Sequence, residues 1–241
     1  FMPLENNAEY LFSENMEFKP NQPAGFDANS PELAEQKSFS YSAGINYYKR
    51  QRRPWIDESP FIFIKDYYNL SLQYHQGVKN VFSSVSDFSY IDFSYRQQAN
   101  ISPSAGIDLY ANAGYFFRNK QMHFSQFHHF KTYEIPLLLN FYTHAFQLVN
   151  DYELSTNQSY LNLGGEIRTE YVLLRYLPFI NTNTWSESLM LNYIATPDIH
   201  SYWEAGYSLN SIFFLGNLGV FTGFTGTKFE SVMIKLTISG Y

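Results

Sequence analysis

The sequence predicts an all-β fold: an antiparallel transmembrane β-barrel of about ten to twelve strands, either closed within these residues or forming the C-terminal part of a larger barrel. Three observations carry this. Apolar and polar residues alternate over much of the chain at a period of two, the period at which side chains switch faces along a strand. Several alternating stretches run to ten residues or more, as a tilted membrane crossing requires, whereas strands are commonly about five or six residues long. Aromatic residues, 21 Tyr, 23 Phe and 3 Trp in 241 residues, gather near strand ends, where amphipathic rings form girdles at membrane interfaces.

Taken in order, residues 1–38 read as a polar loop or connector, rich in Asn, Glu and Pro, with a short helix able to open at Ser30-Pro31-Glu32. No basic and apolar leader opens the chain, so a signal peptide is expected upstream or already removed. Barrel strands fill 39–241. Alternation is clearest in 69–75, 90–96, 107–116, 202–209 and 231–238; further strands are expected at 39–50, 61–67, 134–146, 160–175, 187–194, 211–215 and 218–224.

In the five clearest segments one face reads Leu70, Leu72, Tyr74; Ile91, Phe93, Tyr95; Ile107, Leu109, Ala111, Ala113, Tyr115; Trp203, Ala205, Tyr207, Leu209; Val232, Ile234, Leu236, Ile238. It holds no charge. The opposite face carries Asp92, Arg96, Asp108, Glu204 and Lys235. Aromatic clusters stand at Tyr47-Tyr48, Tyr67-Tyr68, Tyr115-Phe116-Phe117, Phe141-Tyr142, Tyr202-Trp203 and Phe213-Phe214. Turn signals at Gln76-Gly77, Thr196-Pro197-Asp198, Gly216-Asn217 and Thr225-Gly226-Thr227, set among longer polar loops, suggest one short-turn end and one long-loop end. The last strand, ending on Tyr241, resembles the C-terminal strand signal of bacterial outer-membrane proteins.

Composition narrows the function. Charged residues are 16% and hydrophobic ones 45%, which argues against disorder. A net charge of −6 gives no basic stripe for nucleic acid. Without cysteine there is no disulfide, thiolate metal site or Cys nucleophile. The longest uncharged run, 205–227, is broken by five glycines and forms no membrane-spanning helix.

On strands, Asp92, Arg96, Asp108, Arg168 and Glu204 are expected to face a barrel lumen, because a Lys or Arg at the bilayer midplane costs about 2–4 kcal/mol. Lys49, Arg50, Arg52 and Arg53 form a basic stretch suited to anionic headgroups or lipopolysaccharide phosphate, at about 1 kcal/mol per cation; a solvated loop explains them equally well. His123, His128 and His129, with Glu134 nearby, lack the convergence zinc needs, since adjacent strand residues point to opposite faces. Gly164-Gly165 is followed by Glu166 rather than a phosphate-cradling pattern, and no Ser, His and carboxylate spacing marks a triad. No metal, cofactor or catalytic residue is expected.

The stretches Tyr171-Val172-Leu173-Leu174-Arg175-Tyr176-Leu177-Pro178-Phe179-Ile180, Tyr202-Trp203-Glu204-Ala205-Gly206-Tyr207-Ser208-Leu209 and Gly219-Val220-Phe221, with Phe229 and Ile234-Lys235-Leu236, resemble the C-terminal barrel of a Bacteroidota outer-membrane family of unknown function. Its longer members carry an N-terminal carboxypeptidase-regulatory-like β-sandwich, which is not expected within these 241 residues. Tyr74-His75-Gln76-Gly77 and Asp87-Phe88-Ser89-Tyr90 extend the likeness upstream. The resemblance implies a bacterial outer-membrane location and no established catalytic residue. The expected function is that of a non-catalytic barrel, either a pore or a structural or accessory subunit of an envelope complex. Its expected partners are membrane lipids, lipopolysaccharide and other outer-membrane or periplasmic proteins. The alternative is a secreted soluble β-sandwich that binds glycans through exposed Tyr and Trp.

Overall fold

A computed structural model of the protein describes residues 36–52, 65–102, 105–133, 137–138, 144–169, 172–176, 185–212 and 216–238. They form one sheet from β1 (Ser40–Arg52), β2 (Lys65–Gly77), β3 (Asp87–Ser102), β4 (Ala105–Gln121), β5 (Leu137–Leu138), β6 (Tyr160–Thr169), β7 (Ser186–Ala195), β8 (Tyr202–Ile212), β9 (Gly216–Thr225) and β10 (Lys228–Ile238). The spatial order is β1-β2-β3-β4-β6-β7-β8-β9-β10-β5. The nine long strands form an antiparallel meander, and the two-residue β5 joins β10 in parallel. Among the described residues β1 does not pair with β10, so the sheet is open. No second sheet packs on it among those residues.

Register confirms the two-faced reading strand by strand. Leu72 opposes Phe93, Phe93 opposes Ala113 and Ala111 opposes Leu163. Leu163 then opposes Tyr193, Tyr193 opposes Trp203 and Trp203 opposes Phe224. One apolar face therefore crosses the sheet. On the other face four aromatics each stand opposite a glycine: Phe88 against Gly77, Tyr160 against Gly114, Tyr110 against Gly164 and Phe221 against Gly206. A side chain at any of these glycines would enter the opposing ring; the missing Cβ lets the ring lie flat and lets the sheet bend there.

Several expectations need correction. The strand expected at 160–175 is described over Tyr160–Thr169, and its expected last residues are not strand: Glu187 captures the amides of Val172, Leu173 and Leu174, and a 3-10 turn follows at Leu174–Tyr176. Among the described residues of 134–146, β5 joins the sheet, and Phe146 makes an isolated bridge to Thr132. The expected strand at 61–67 is the start of β2, whose described part begins at Lys65. Long and short connections also mix at both ends. One end has the two-residue turn at 226–227 beside the long β4–β6 connector; the other has the β3–β4 link at 103–104 beside the β6–β7 link at 170–185. Residues 1–35, Phe141-Tyr142 and Phe213-Phe214 lie outside the described residues.

Adjacent strand residues point to opposite faces, so the aromatic doublets divide. Tyr47, Tyr68 and Trp203 share the apolar face, while Tyr48, Tyr67 and Tyr202 share the polar one. Tyr47 meets Tyr68 with ring centroids 6.1 Å apart, and Tyr48 meets Tyr67 at 5.9 Å.

Candidate functional site

Burial is inverted relative to residue type. On the apolar face Ile45 is 75% exposed, Leu191 54% and Ile234 63%, whereas on the polar face Lys235 is fully buried and Glu204 is 1% exposed. The cover over the polar face is the chain's own connector between β4 and β6. Its Phe130, Phe146, Val149 and Leu154 pack with Tyr160, Ile194 and Tyr202 of the sheet, and its Met122, Phe124 and Phe127 pack with Phe88.

Three carboxylates anchor this connector, and all three are among the residues expected from sequence to face a lumen. Glu204 accepts the amides of Gln147 at 2.5 Å and Leu148 at 2.9 Å, together with the hydroxyl of Tyr202 at 2.8 Å. Asp108 binds His144 Nε2 at 2.9 Å and Arg96 at 3.2 Å. Asp92 accepts the hydroxyl of Tyr160, which also bonds His128 Nδ1 at 2.9 Å and stacks on that imidazole. Two contacts to main-chain carbonyls complete the docking: Asn192 donates to Ala145 O at 2.9 Å, and Lys235 donates to Tyr133 O. Arg168 lies farther along the same face, 3.0 Å from Glu166, whose other contact is the hydroxyl of Ser188 at 2.7 Å.

Burial pulls His128 from its usual 6.5 down to about 4; nearby Asp92 opposes this, while His129 and His75 reinforce it. Burial also lowers His129. The three histidines serve separate bonds. His123 caps a 3-10 turn by accepting the amide of Ser125, His128 meets Tyr160, and His129 meets Ser155 at 2.8 Å. Among the described residues no group of three metal-ligating side chains converges. The carboxylates mostly hold main chain and hydroxyls, an arrangement that fixes a segment in place rather than presenting a reactive group. Asp108 Oδ1, Glu166 Oε2 and Asn162 Oδ1 are buried without a hydrogen-bond partner.

The basic stretch is not a loop. Lys49, Arg50 and Arg52 belong to β1, with Lys49 Nζ 5.8 Å from the ring centre of Tyr68. Arg53 lies outside the described residues.

Sequence reasoning missed Tyr160, His144 and Glu187. Glu187 sits opposite Leu209 on the apolar row near its end, and folds residues 172–174 over itself with help from Tyr207 at 2.5 Å. One pairing was legible: Tyr202 and Glu204, two residues apart on a strand, necessarily share a face.

Residues 2–209 match the profile of a family described as "Family of unknown function (DUF5686) C-terminal domain". No curated protein and no solved structure matches the chain.

Proposed function

The chain belongs to the DUF5686 family of unknown function, as its C-terminal domain, and from that premise we propose that it is an integral β-barrel of the bacterial outer membrane whose lumen its own connector occupies. It acts without catalysis, as a structural or accessory subunit of an envelope complex rather than as an open pore. One observation carries this: the apolar face of the sheet is broadly exposed, with Ile45, Leu191 and Ile234 more than half exposed, whereas on the polar face Glu204 and Lys235 are buried under the connector. Water disfavours that arrangement, while lipid outside and a polar interior favour it. A sandwich would bury the apolar face instead.

The connector favours the subunit role. Among the described residues, phenylalanines and main chain of the connector lie against the polar face. The aromatic residues of the apolar face cluster toward both strand ends, with Tyr47 and Tyr68 at one and Trp203, Phe224 and Phe229 at the other, at the depth of headgroups. Lys49, Arg50 and Arg52 stand at the end of β1, and with Arg53 next in sequence they suit anionic headgroups or lipopolysaccharide. Expression without detergent tests the reading: the protein should fractionate with membranes and give no steady conductance in planar bilayers. A monodisperse soluble protein would overturn the membrane assignment, and stable single-channel conductance would overturn the plugged lumen.

A further inference from the structure

A carboxylate lies on the apolar face of β7. Glu187 is the second residue of that strand, and its register partners, Thr169 on β6 and Leu209 on β8, place it on the row that continues through Leu189 and Leu191. Those two leucines are 41% and 54% exposed, whereas Glu187 is fully buried.

The connection that leads into β7 covers it. Both carboxylate oxygens accept main-chain amides: Val172 at 2.6 Å, Leu173 at 2.8 and 3.0 Å, and Leu174 at 3.1 Å. The hydroxyl of Tyr207, on the same face of β8, donates to Oε1. A 3-10 turn closes the segment, with the amide of Tyr176 donating to Leu173 O at 3.0 Å. Residues 172–174 therefore lie against the outer, apolar side of the sheet and not over its polar side. Leu174 is buried, while Leu173 and Tyr176 are 51% and 65% exposed.

This arrangement suits one medium. A loop in water needs no carboxylate for its amides, because water solvates them. Within the edge of a bilayer every main-chain donor must find a partner in the protein, and a carboxylate on the lipid-facing row must be enclosed. Glu187 and the amides of 172–174 meet both demands at once, through charge-assisted hydrogen bonds. Depth agrees with this. Leu191, midway along β7, is four residues from Glu187. At about 3.3 Å per residue and a tilt of about 40°, that is roughly 10 Å along the membrane normal, against an apolar band about 25 Å tall. The segment thus falls at the boundary between acyl chains and headgroups, where Tyr and Trp concentrate. Trp185, half-buried, precedes β7 at the same end.

We infer that residues 172–176 form a lip that folds outward from the end of the barrel onto its lipid-facing side. It inserts Leu173 and Tyr176 at the acyl-chain boundary of one leaflet, and Glu187 is its buried clamp. The inference rests on the barrel reading above.

Labels on single cysteines test it with the full protein in lipid vesicles, since the chain has no cysteine of its own. A fluorophore at Leu173→Cys should be quenched about threefold more by lipids brominated near the headgroup than by lipids brominated near the chain end, and one at Leu191→Cys the reverse. Iodide, present on both sides of the bilayer, should quench the label at 173 at least about tenfold less than one at Lys79→Cys in the exposed β2–β3 turn. Glu187→Gln weakens each bond of the clamp, because neutral acceptors hold amides less strongly than charged ones, so iodide access at 173 should rise about tenfold while 191 stays shielded. Iodide access at 173 equal to that at 79 would overturn the inference, as would unchanged access in Glu187→Gln. Shielding of 173 from bromine and iodide alike would overturn it too, by marking a protein neighbour in place of lipid. Failure of the barrel reading would show differently, as iodide quenching of the label at 191.

Discussion

The ring of Tyr110 lies across Gly164, its directly opposed residue on the next strand, so closely that a Cβ at Gly164 would come within 2.2 Å of the ring and 2.6 Å of Asn192 Oδ1. The ring cannot swing aside freely, because its hydroxyl is 3.1 Å from that same oxygen. Gly165, one residue on, faces the apolar side, where a Cβ would first meet the terminal methyl of Leu109 at 2.8 Å. Gly164→Ala should therefore destabilise the fold by about 1–3 kcal/mol. Gly165→Ala should be nearly neutral, because strain at a flexible methyl offsets the roughly 0.5–1 kcal/mol that Ala gains over Gly in a strand. Urea unfolding of both variants in detergent checks this, and equal losses would contradict it.

Glu204→Gln removes a charged acceptor from the amides of Gln147 and Leu148 and the hydroxyl of Tyr202. Hydrogen bonds to charged groups are worth about 1.5–3 kcal/mol each, so the connector should loosen while the sheet persists. Limited proteolysis should then cut near 144–150 at least about tenfold faster, the equivalent of 1.4 kcal/mol, with unchanged β-sheet circular dichroism. A cleavage rate equal to that of the native protein would show that Glu204 does not hold the connector.

A pH response follows from His128. Its folded value of about 4 lies below the ordinary 6.5, so the folded protein binds fewer protons between those two values, and stability rises with pH across that window. Docking is fully supported above about pH 6.5 and is lost as pH falls through about 4, with an effect on the order of 3 kcal/mol. Tyr160, Asp92, His129 and His75 are the titratable groups around it. The protection factors of the amides at 128–130, each rate corrected for the intrinsic exchange rate at that pH, should fall from pH 6.5 to 4 and not from pH 8 to 6.5, and His128→Asn should flatten the profile. A loss of protection confined to the upper range would contradict the assignment.

Charge on the apolar face should discriminate between solvents. Leu191→Arg places a cation on a half-exposed residue midway along β7. Facing lipid, it should cost about 2–4 kcal/mol in vesicle refolding; facing water, it would cost little. Ser94→Arg, on the polar face of β3, should avoid that lipid penalty. A neutral Leu191→Arg would remove the support for a lipid-facing surface.

Much of this fold was legible because period-two alternation survives in sequence whatever the partners of a strand. Leu70 through Ile238 were assigned to one face, and the register keeps their strands on it. The connector was not legible. Its docking depends on Glu204 and Asp108 reaching amides and an imidazole far away in the chain, and neither has a local pattern. Glu187 misled for the same reason: a carboxylate that ends a strand by capturing residues 172–174 looks, in sequence, like one more polar position. The basic stretch from Lys49 to Arg53 reads like a loop in sequence because clustered cations resemble a solvated turn, whereas Lys49, Arg50 and Arg52 belong to β1.

The central claim is that Leu191 and Ile234 face lipid while Asp92 and Arg168 face the interior. Single cysteines at these four positions, spin-labelled in vesicles, test it by collision with oxygen, which concentrates in the lipid phase, and with a water-soluble nickel chelate. Labels at 191 and 234 should respond to oxygen and resist the chelate, and those at 92 and 168 should not gain oxygen access. Chelate access at 191 and 234 equal to that of an exposed loop, or oxygen-dominated relaxation at 92 and 168, would contradict the account.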